Sequence, residues 1–308
     1  MNPLDQKIRD SPLSANFNVS VNQPSILAFD VVGTVVANGP NSSLPIGTRV
    51  FAQSSMTDPA SGGLQEYTVV DSRWAIPVPS HISDTDASTF PVNGMTVAVV
   101  LFSPAALGLP LPGTPEAKTF DYAAQRLVVV GAGTNNGKLA IQFARIAGIG
   151  TIVAVASLSS EKELKQYGAT HIVDRKAEDI NAEVRKIVGD DLIYAVDAYN
   201  GGPDLSLAVS LLSNSKKGTL VHLVPVGPGE EILRTKKAGC KATGVFGSSA
   251  AHPELATLFW KTFADWVESK QVQPTKYEVI DGLDAEKVNL VLDEMKGSST
   301  RVKWAVKL

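Results

Sequence analysis

The chain has 308 residues, with 28 Lys and Arg against 31 Asp and Glu for a formal charge of −3, 44% hydrophobic residues and one cysteine. That length favours about two domains, the balanced charge argues against nucleic acid as the main partner, and one cysteine makes neither an internal disulfide nor a cysteine-based zinc site, which suits a reducing compartment. Met1 to Lys7 contain no apolar targeting segment, and the most apolar stretch, Val97 to Leu111, is broken by Ser103, Pro104, Gly108 and Pro110 and is too short to span a bilayer, so a cytoplasmic protein with no membrane partner is expected.

Up to about Phe90 the pattern is one of short apolar runs between turn residues. Ile26–Leu27, Val31 to Ala37, Arg49 to Ala52, Tyr67 to Val70 and Trp74 to Val78 are separated by Asn38-Gly39-Pro40-Asn41, Pro45-Ile46-Gly47 and Ser61-Gly62-Gly63. Such punctuation predicts a β-rich unit. A Pro/Gly-rich connection from Leu107 to Pro115 leads into a different rhythm. Leu127 to Val130, Ile152 to Ala156, Ile172–Val173, Ile193 to Val196, Leu220 to Val224 and Thr243 to Phe246 look like buried parallel strands alternating with amphipathic stretches. In one of these, Ile180, Val184 and Ile187 fall at i, i+4 and i+7 on one helix face. Repeated strand–helix units predict an α/β, Rossmann-type doubly wound parallel sheet. In the tail, Leu255, Leu258, Phe259, Phe263, Trp266 and Val267 form a helical stripe, Tyr277 to Ile280 a strand, Val288, Val291, Leu292 and Met295 a second helix, and Val302 to Val306 a last strand. These pieces do not extend the parallel alternation, so they are expected to fold back onto the β-rich unit. No internal repeat is present.

The strongest chemical signal follows the strand ending at Val130, where Gly131-Ala132-Gly133-Thr134-Asn135-Asn136-Gly137 opens a helix with Leu139, Phe143 and Ala147 four apart. Small residues let the backbone turn sharply and approach a pyrophosphate, whose charge sits on free N–H groups at the helix start. The last glycine comes one residue late for G-x-G-x-x-G. A phosphate-binding P-loop fits worse, with Ala132 at its first glycine and Leu139 after Gly137-Lys138. At the end of the second strand, where a carboxylate would bind a ribose 2′-hydroxyl, the chain offers Ser157 to Lys162 instead, so a 2′-phosphate is tolerated. Ser157, Ser160, Lys162 and, after the third strand, Arg175 are the donors available to it. The same Lys162 and Arg175 also read as ordinary solvated charges.

Further signals are spread along the chain: Asn2-Pro3-Leu4-Asp5 with Lys7, Pro24 to Asp30 leading to Gly33-Thr34-Val35, Gly47-Thr48-Arg49-Val50, and Gly62-Gly63-Leu64-Gln65-Glu66-Tyr67. They continue through Gly94-Met95-Thr96, Gly137 to Ala147 with Gln142, Gly168-Ala169-Thr170 and Val302-Lys303. In this order they resemble the medium-chain dehydrogenase/reductase superfamily, in its zinc-free quinone and enoyl reductase branch and its fungal zinc-binding-dehydrogenase-like members. The resemblance implies a GroES-like catalytic domain over residues 1–94 and 253–308 and a Rossmann NADP-binding domain over residues 95–252. Bound NADPH is then expected against Thr96, Gly133 to Gly137, the Asp197-Ala198-Tyr199-Asn200 strand end and the Val224-Pro225 strand end. The implied substrate-side groups are Asn2, Asp5, Tyr67 and Asn93. In zinc-dependent relatives the metal ligands match Asn2, Phe29 and Val92, none of which offers a thiolate or imidazole, and the four-cysteine lobe is missing. Cys240 reads as a small buried residue, and the histidines at 81, 171, 222 and 252 show no metal spacing. No G-x-S-x-G suggests a hydrolase.

The expected activity is an NADPH-dependent, zinc-independent hydride transfer to an activated C=C or a quinone, with hydrogen-bond donors in place of a metal. The resemblance to fungal members, including Leu107 to Pro112, points towards secondary metabolism and a polyketide synthase partner. An alternative is a non-reducing protein on the same fold, either a dinucleotide-responsive binding module or a catalyst of a redox-neutral rearrangement. Family members carry β-strands before the Asn-Pro-x-Asp motif, so the GroES-like domain is expected to be incomplete, with an exposed sheet edge. A lost start, a homodimer that repairs the edge, and a more open substrate site all remain open. The sequons at Asn18 and Asn41 matter only in a secreted chain.

Overall fold

The structure, a computed structural model, describes residues 1–10, 26–55, 58, 60–297 and 302–308; the sequon at Asn18 and the Pro24-Ser25 step lie outside them. The chain divides into two compact units. One comprises Met1–Asn93, Ser248–Glu268 and Pro274–Leu308, the other Gly94–Gly247 and Ser269–Gln273.

The first part of the chain folds as α1 (Pro3–Asp10), β1 (Asp30–Thr34), β2 (Arg49–Gln53) and β3 (Ile76–Pro77). The three strands make an antiparallel sheet in the order β1-β2-β3. Two of the expected strands do not form. Ile26–Leu27 runs into Ala28, which adopts a positive φ of 66° and ends any extended run. Tyr67 to Val70 packs on the core through Val70 alone, with Tyr67 72% and Val69 59% exposed. Next come α2 (Asp84–Ala87), closed by a capping box between Ser83 and Asp86, and α3 (Pro91–Phe102). The sequence reading did not anticipate α3. From Met95 to Phe102 every apolar residue is buried, and a helix apolar on all sides carries no 3.6-residue stripe.

The second unit is the alternating one. It runs β4 (Arg126–Val130), α4 (Asn135–Ala147), β5 (Thr151–Ala156), α5 (Glu161–Tyr167), β6 (His171–Asp174), α6 (Ile180–Val188), β7 (Tyr194–Asp197), α7 (Ser206–Leu211), β8 (Gly218–His222), α8 (Glu230–Leu233) and β9 (Cys240–Gly244). All six strands are parallel, in the order β6-β5-β4-β7-β8-β9. The strands are near-continuous Val, Leu and Ile runs because both faces are covered. Val128, Val153, Ala195 and Leu220 are wholly buried, and a fully buried Val or Leu contributes about 1.5–3 kcal/mol. β8 ends two residues before the expected Val224, since His222 Nδ1 and the Val224 carbonyl, 2.7 Å apart, bend the chain there. β9 lies about three residues earlier than expected, in register from Gly218↔Cys240 to His222↔Gly244.

The tail returns to the first unit as α9 (Pro253–Glu268), β10 (Tyr277–Asp281), α10 (Ala285–Gly297) and β11 (Lys303–Lys307). β10 and β11 pair in parallel, with Tyr277 opposite Lys303. The stripe of α9 packs into an aromatic core. Phe263 lies 5.4 Å from Phe90 and 6.2 Å from Phe51 between ring centres, and Trp260 donates to Ser249 Oγ, which bonds Gln53. Among the described residues no helix is long and apolar enough to cross a membrane.

Candidate active site

Between β4 and β7 the strand order of the sheet reverses, and open α/β sheets bind ligands beyond the carboxyl ends of strands at such a point. Gly131 leaves β4 at φ 71°, and a Cβ there would meet Tyr199 Cβ at 2.7 Å. Glycine is what lets the two strand ends approach. Thr134 caps α4 by accepting the Gly137 N–H on Oγ1 at 3.0 Å. The N–H groups of Asn135 and Asn136 have no acceptor within the first turn, so the positive end of α4 opens onto the loop. Gly137 resolves the irregular spacing. A Cβ there would lie 2.6 Å from the Gly131 carbonyl oxygen and 2.7 Å from Ala132 Cα, so this glycine packs helix against strand although it comes one residue late.

The loop fits a dinucleotide on two further observations. The side-chain amide oxygens of Asn135 and Asn136 are buried without a hydrogen-bond partner among the described residues, and an amide turned over about its last bond offers N–H groups there instead. At Gly133 the nearest atom to an added Cβ is Ser160 Oγ, 3.6 Å away, which leaves the backbone approachable. Ser160 is buried, and the Ser157 and Ser159 hydroxyls lie 2.9 Å apart. Arg175 follows β6 with its N–H on the Ala156 carbonyl at 2.8 Å, beside the end of β5. Lys162 and Arg175 are exposed, and neither side chain has an ion-pair partner among the described residues.

Beyond β7, the fully buried Asp197 accepts the Tyr199 and Asn200 N–H groups at 3.0 and 2.8 Å and Asn200 Nδ2 at 3.0 Å. Asn200 is therefore tied inward, while Tyr199 stands 56% exposed. The Val224–Val226 turn is held by His222 and by Val226 O accepting the Gly202 N–H at 2.7 Å. Thr96, on α3, packs so tightly on Gly247 that a Cβ there would fall 2.2 Å from its Oγ1. Contacts thus join Gly131, Gly133 and Gly137 to Ser160 and Tyr199, but Lys162 and Arg175 reach the loop through backbone placement alone. Sequence reasoning placed Asp197 at a cofactor-side strand end and His222 among structural histidines, but did not foresee the hydrogen bonds by which they hold these turns. The detectable signal was an acid and an imidazole at the ends of apolar strands.

In the first unit Asn2 and Asp5 come together. Asp5 accepts the Asn2 N–H at 2.6 Å and the Ala28 N–H at 2.7 Å. Burial pushes its carboxyl above the usual range, against the pull of the Met1 ammonium and these N–H groups. Asp30 accepts Asn2 Nδ2 at 2.5 Å on one oxygen and the Val92 N–H at 2.8 Å on the other. Lys303 Nζ sits 2.7 Å from Asp30 Oδ2 as a buried ion pair, and burial lowers the Lys303 ammonium against the opposing pull of Asp30. Two of the three positions that match metal ligands, 2 and 92, are thus tied to one carboxylate. Asn93 Nδ2 is buried without a partner among the described residues. Tyr67 lines, with the Asp30 of this cluster, an open groove of about 1,610 Å³ that Gly33, Trp304 and Val306 also line. The half-buried Cys240 has a thiol pushed up by burial. Among the described residues no group of three or more His, Cys, Asp or Glu is placed to hold a metal.

Two family models match the chain in sequence order. The alcohol dehydrogenase GroES-like domain matches residues 1–80 and the zinc-binding dehydrogenase domain residues 137–268. The chain belongs to the medium-chain dehydrogenase/reductase superfamily. This family member is 30% identical over 187 residues to a trans-enoyl reductase of Penicillium decumbens, a match covering 59% of this chain and 49% of that protein. It is 27% identical over 261 residues to a trans-enoyl reductase of Alternaria alternata, covering 81% and 74%. A dehydrogenase of Monascus ruber aligns at 26% identity over 92% of this chain and 84% of its own. The chain spans about half the length of the Penicillium relatives it matches. Among solved structures, the CurK enoyl reductase shares the fold with a TM-score of 0.76 at 18% identity, over 100% of this chain and 88% of that one. A putative NADPH:quinone reductase from Bacillus thuringiensis gives 0.75 at 22%, over 99% and 86%.

Proposed function

We propose that this dehydrogenase/reductase family member is an NADPH-dependent, zinc-independent reductase that delivers hydride to the β-carbon of an activated C=C, or to a quinone. The observation that carries the reading is the loop from Gly131 to Gly137, with its close-packed glycines and, at the start of α4, two buried Asn amide oxygens that have no partner among the described residues. The sequence similarity to fungal trans-enoyl reductases supports an enoyl substrate and a place in secondary metabolism. A polyketide synthase partner, a homodimer, a cytoplasmic location and a domain division at residues 94 and 253 belong to the same proposal.

NADPH, when bound, supplies the hydride. The N–H groups at the start of α4 hold the pyrophosphate charge, and Ser157, Ser160, Lys162 and Arg175 surround the 2′-phosphate. Tyr199, Asn200, Val224, Pro225 and Thr96 line the nicotinamide end. Asn93 Nδ2, buried without a partner among the described residues, would be the donor to a substrate carbonyl oxygen on which charge grows. Zinc independence rests on the donor set, because Asn2 is engaged by Asp30 and Phe29 and Val92 carry no ligand atom on their side chains.

Titrating the purified chain with NADPH and with NADH, followed by tryptophan fluorescence and thermal midpoint, tests the reading. Saturable binding that prefers NADPH is expected. A folded chain that binds neither dinucleotide refutes it.

A further inference from the structure

Lys138 lies in the first turn of α4 and is only 2% exposed, an uncommon place for an ammonium group. A lysine directly after the glycine loop could reach for a phosphate, but its Nζ lies 3.1 Å from Glu163 Oε2 at the start of α5, with side chains 3% and 20% exposed. Glu163 Oε1 also accepts from the Tyr167 hydroxyl, one turn on, at 3.4 Å. Two turns along the same face of α4, Arg145 Nε donates to the Tyr167 carbonyl at 3.1 Å, where Gly168 leaves room for its stem. α4 therefore grips α5 at both ends. The end held by Lys138 adjoins the glycine loop. Ser160, just before α5, is buried, donates its N–H to the Ser157 carbonyl at 2.9 Å, and places its Oγ nearest to a Cβ built on Gly133. A buried ion pair adds little stability over apolar side chains of the same size, because desolvation offsets the attraction, so its effect is to fix which groups lie together.

We infer that Lys138 and Glu163 are positioning residues: their buried pair seats the start of α5 on the start of α4, and so sets the spacing between the N–H groups of the Gly131–Gly137 loop and the Ser157–Lys162 segment. NADPH carries its pyrophosphate and its 2′-phosphate on one ribose, so both are held together only where the two parts of the site are spaced to match. A segment held in place before binding also costs less to order. The pair acts through that segment and not by touching the ligand. That Ser157–Lys162 meets a 2′-phosphate rests on the reductase reading above; the seating of α5 does not.

The test compares the full chain with Lys138→Met, Lys138→Arg and Arg145→Gln, by amide hydrogen exchange without ligand and by fluorescence titration with NADPH and with NADH. Lys138→Met keeps an apolar stem and removes the charge. The double variant Lys138→Met/Glu163→Gln, which leaves no unpaired charge behind, serves if Lys138→Met does not fold. In the neutral variant, exchange over residues 157–163 is expected to quicken and the preference for NADPH over NADH to fall about tenfold, the equivalent of one charge-assisted hydrogen bond, with the Kd for NADH unchanged. Lys138→Arg is expected to keep the wild-type exchange and preference. Arg145→Gln, which frees only the far end of α5, is expected to lower Tm and leave the preference as it was. A folded neutral variant with unchanged exchange overturns the inference, as does one that weakens both dinucleotides equally, or an Arg145→Gln that narrows the preference as much. If the wild type binds neither dinucleotide while exchange responds as expected, the seating of α5 is supported and the reductase reading alone fails.

Discussion

At residue scale the loop after β4 makes the most direct demands. Ala at Gly137 would drive a methyl group to within 2.6 Å of the Gly131 carbonyl oxygen, backbone that cannot move aside. Gly137→Ala should therefore cost about 1–3 kcal/mol of stability, read from urea unfolding, and weaken dinucleotide binding beyond what the unfolded fraction explains. Lys162 and Arg175 are exposed and no ion pair holds them among the described residues, so each is open to a phosphate. Lys162→Ala and Arg175→Ala should each narrow the preference for NADPH over NADH by roughly tenfold, about one charge-assisted hydrogen bond, in a fluorescence titration. Asn93→Ala should lower kcat on the order of 100-fold with the fold intact, in a steady-state assay with an enone. The glycine loop and the serine-rich strand end were legible because their chemistry is local in sequence. The Asp30–Lys303 pair was not, because it joins residues 273 positions apart and depends on the β10–β11 register that delivers Lys303.

The elements of the second unit followed from the sequence because buried parallel strands announce themselves as Val, Leu and Ile runs, and α4 and α6 carry clear apolar stripes. Element ends were less legible. β8 stops early through a side-chain contact of His222, and β9 takes its limits from pairing with β8; neither is visible in a local window. α3 was missed for want of a polar face, and Tyr67 to Val70 was misread because a short apolar run does not say how much of it packs on a core, here Val70 alone. A further device joins α6 to the start of β8. Asp190 accepts from Ser215 Oγ at 2.6 Å, the Asn214 N–H at 2.8 Å and Arg185 Nη1 at 2.6 Å, and these bonds, led by Ser215, hold its carboxyl well below the usual range. A depressed folded-state pKa gives stability that is present above the unfolded value of about 4 and lost as pH falls through the folded one. Asp190→Asn should therefore flatten the acid limb of unfolding below about pH 4, measured by circular dichroism against pH, and change stability little at pH values below both pKa values.

At the scale of the whole molecule, the two compact units differ in how they are held. One rests on a sheet buried on both faces, the other on an aromatic core around Phe263 and a buried polar cluster around Asp30. Dinucleotide binding to the folded chain alone should raise its stability by about 2.7 kcal/mol at a hundredfold excess over Kd, visible as a rise in Tm that NADH at equal concentration does not match. The account's central claim is metal-free hydride transfer from NADPH. It is tested most directly by incubating the metal-analysed protein with NADPH deuterated at the transferable position and an α,β-unsaturated thioester, then locating the label in the product by mass spectrometry. The account predicts a single deuterium at the β-carbon, undiminished by a chelator and by the absence of bound zinc. A protein that binds NADPH yet transfers no deuterium to any enone or quinone offered, or does so only with zinc bound, would contradict it.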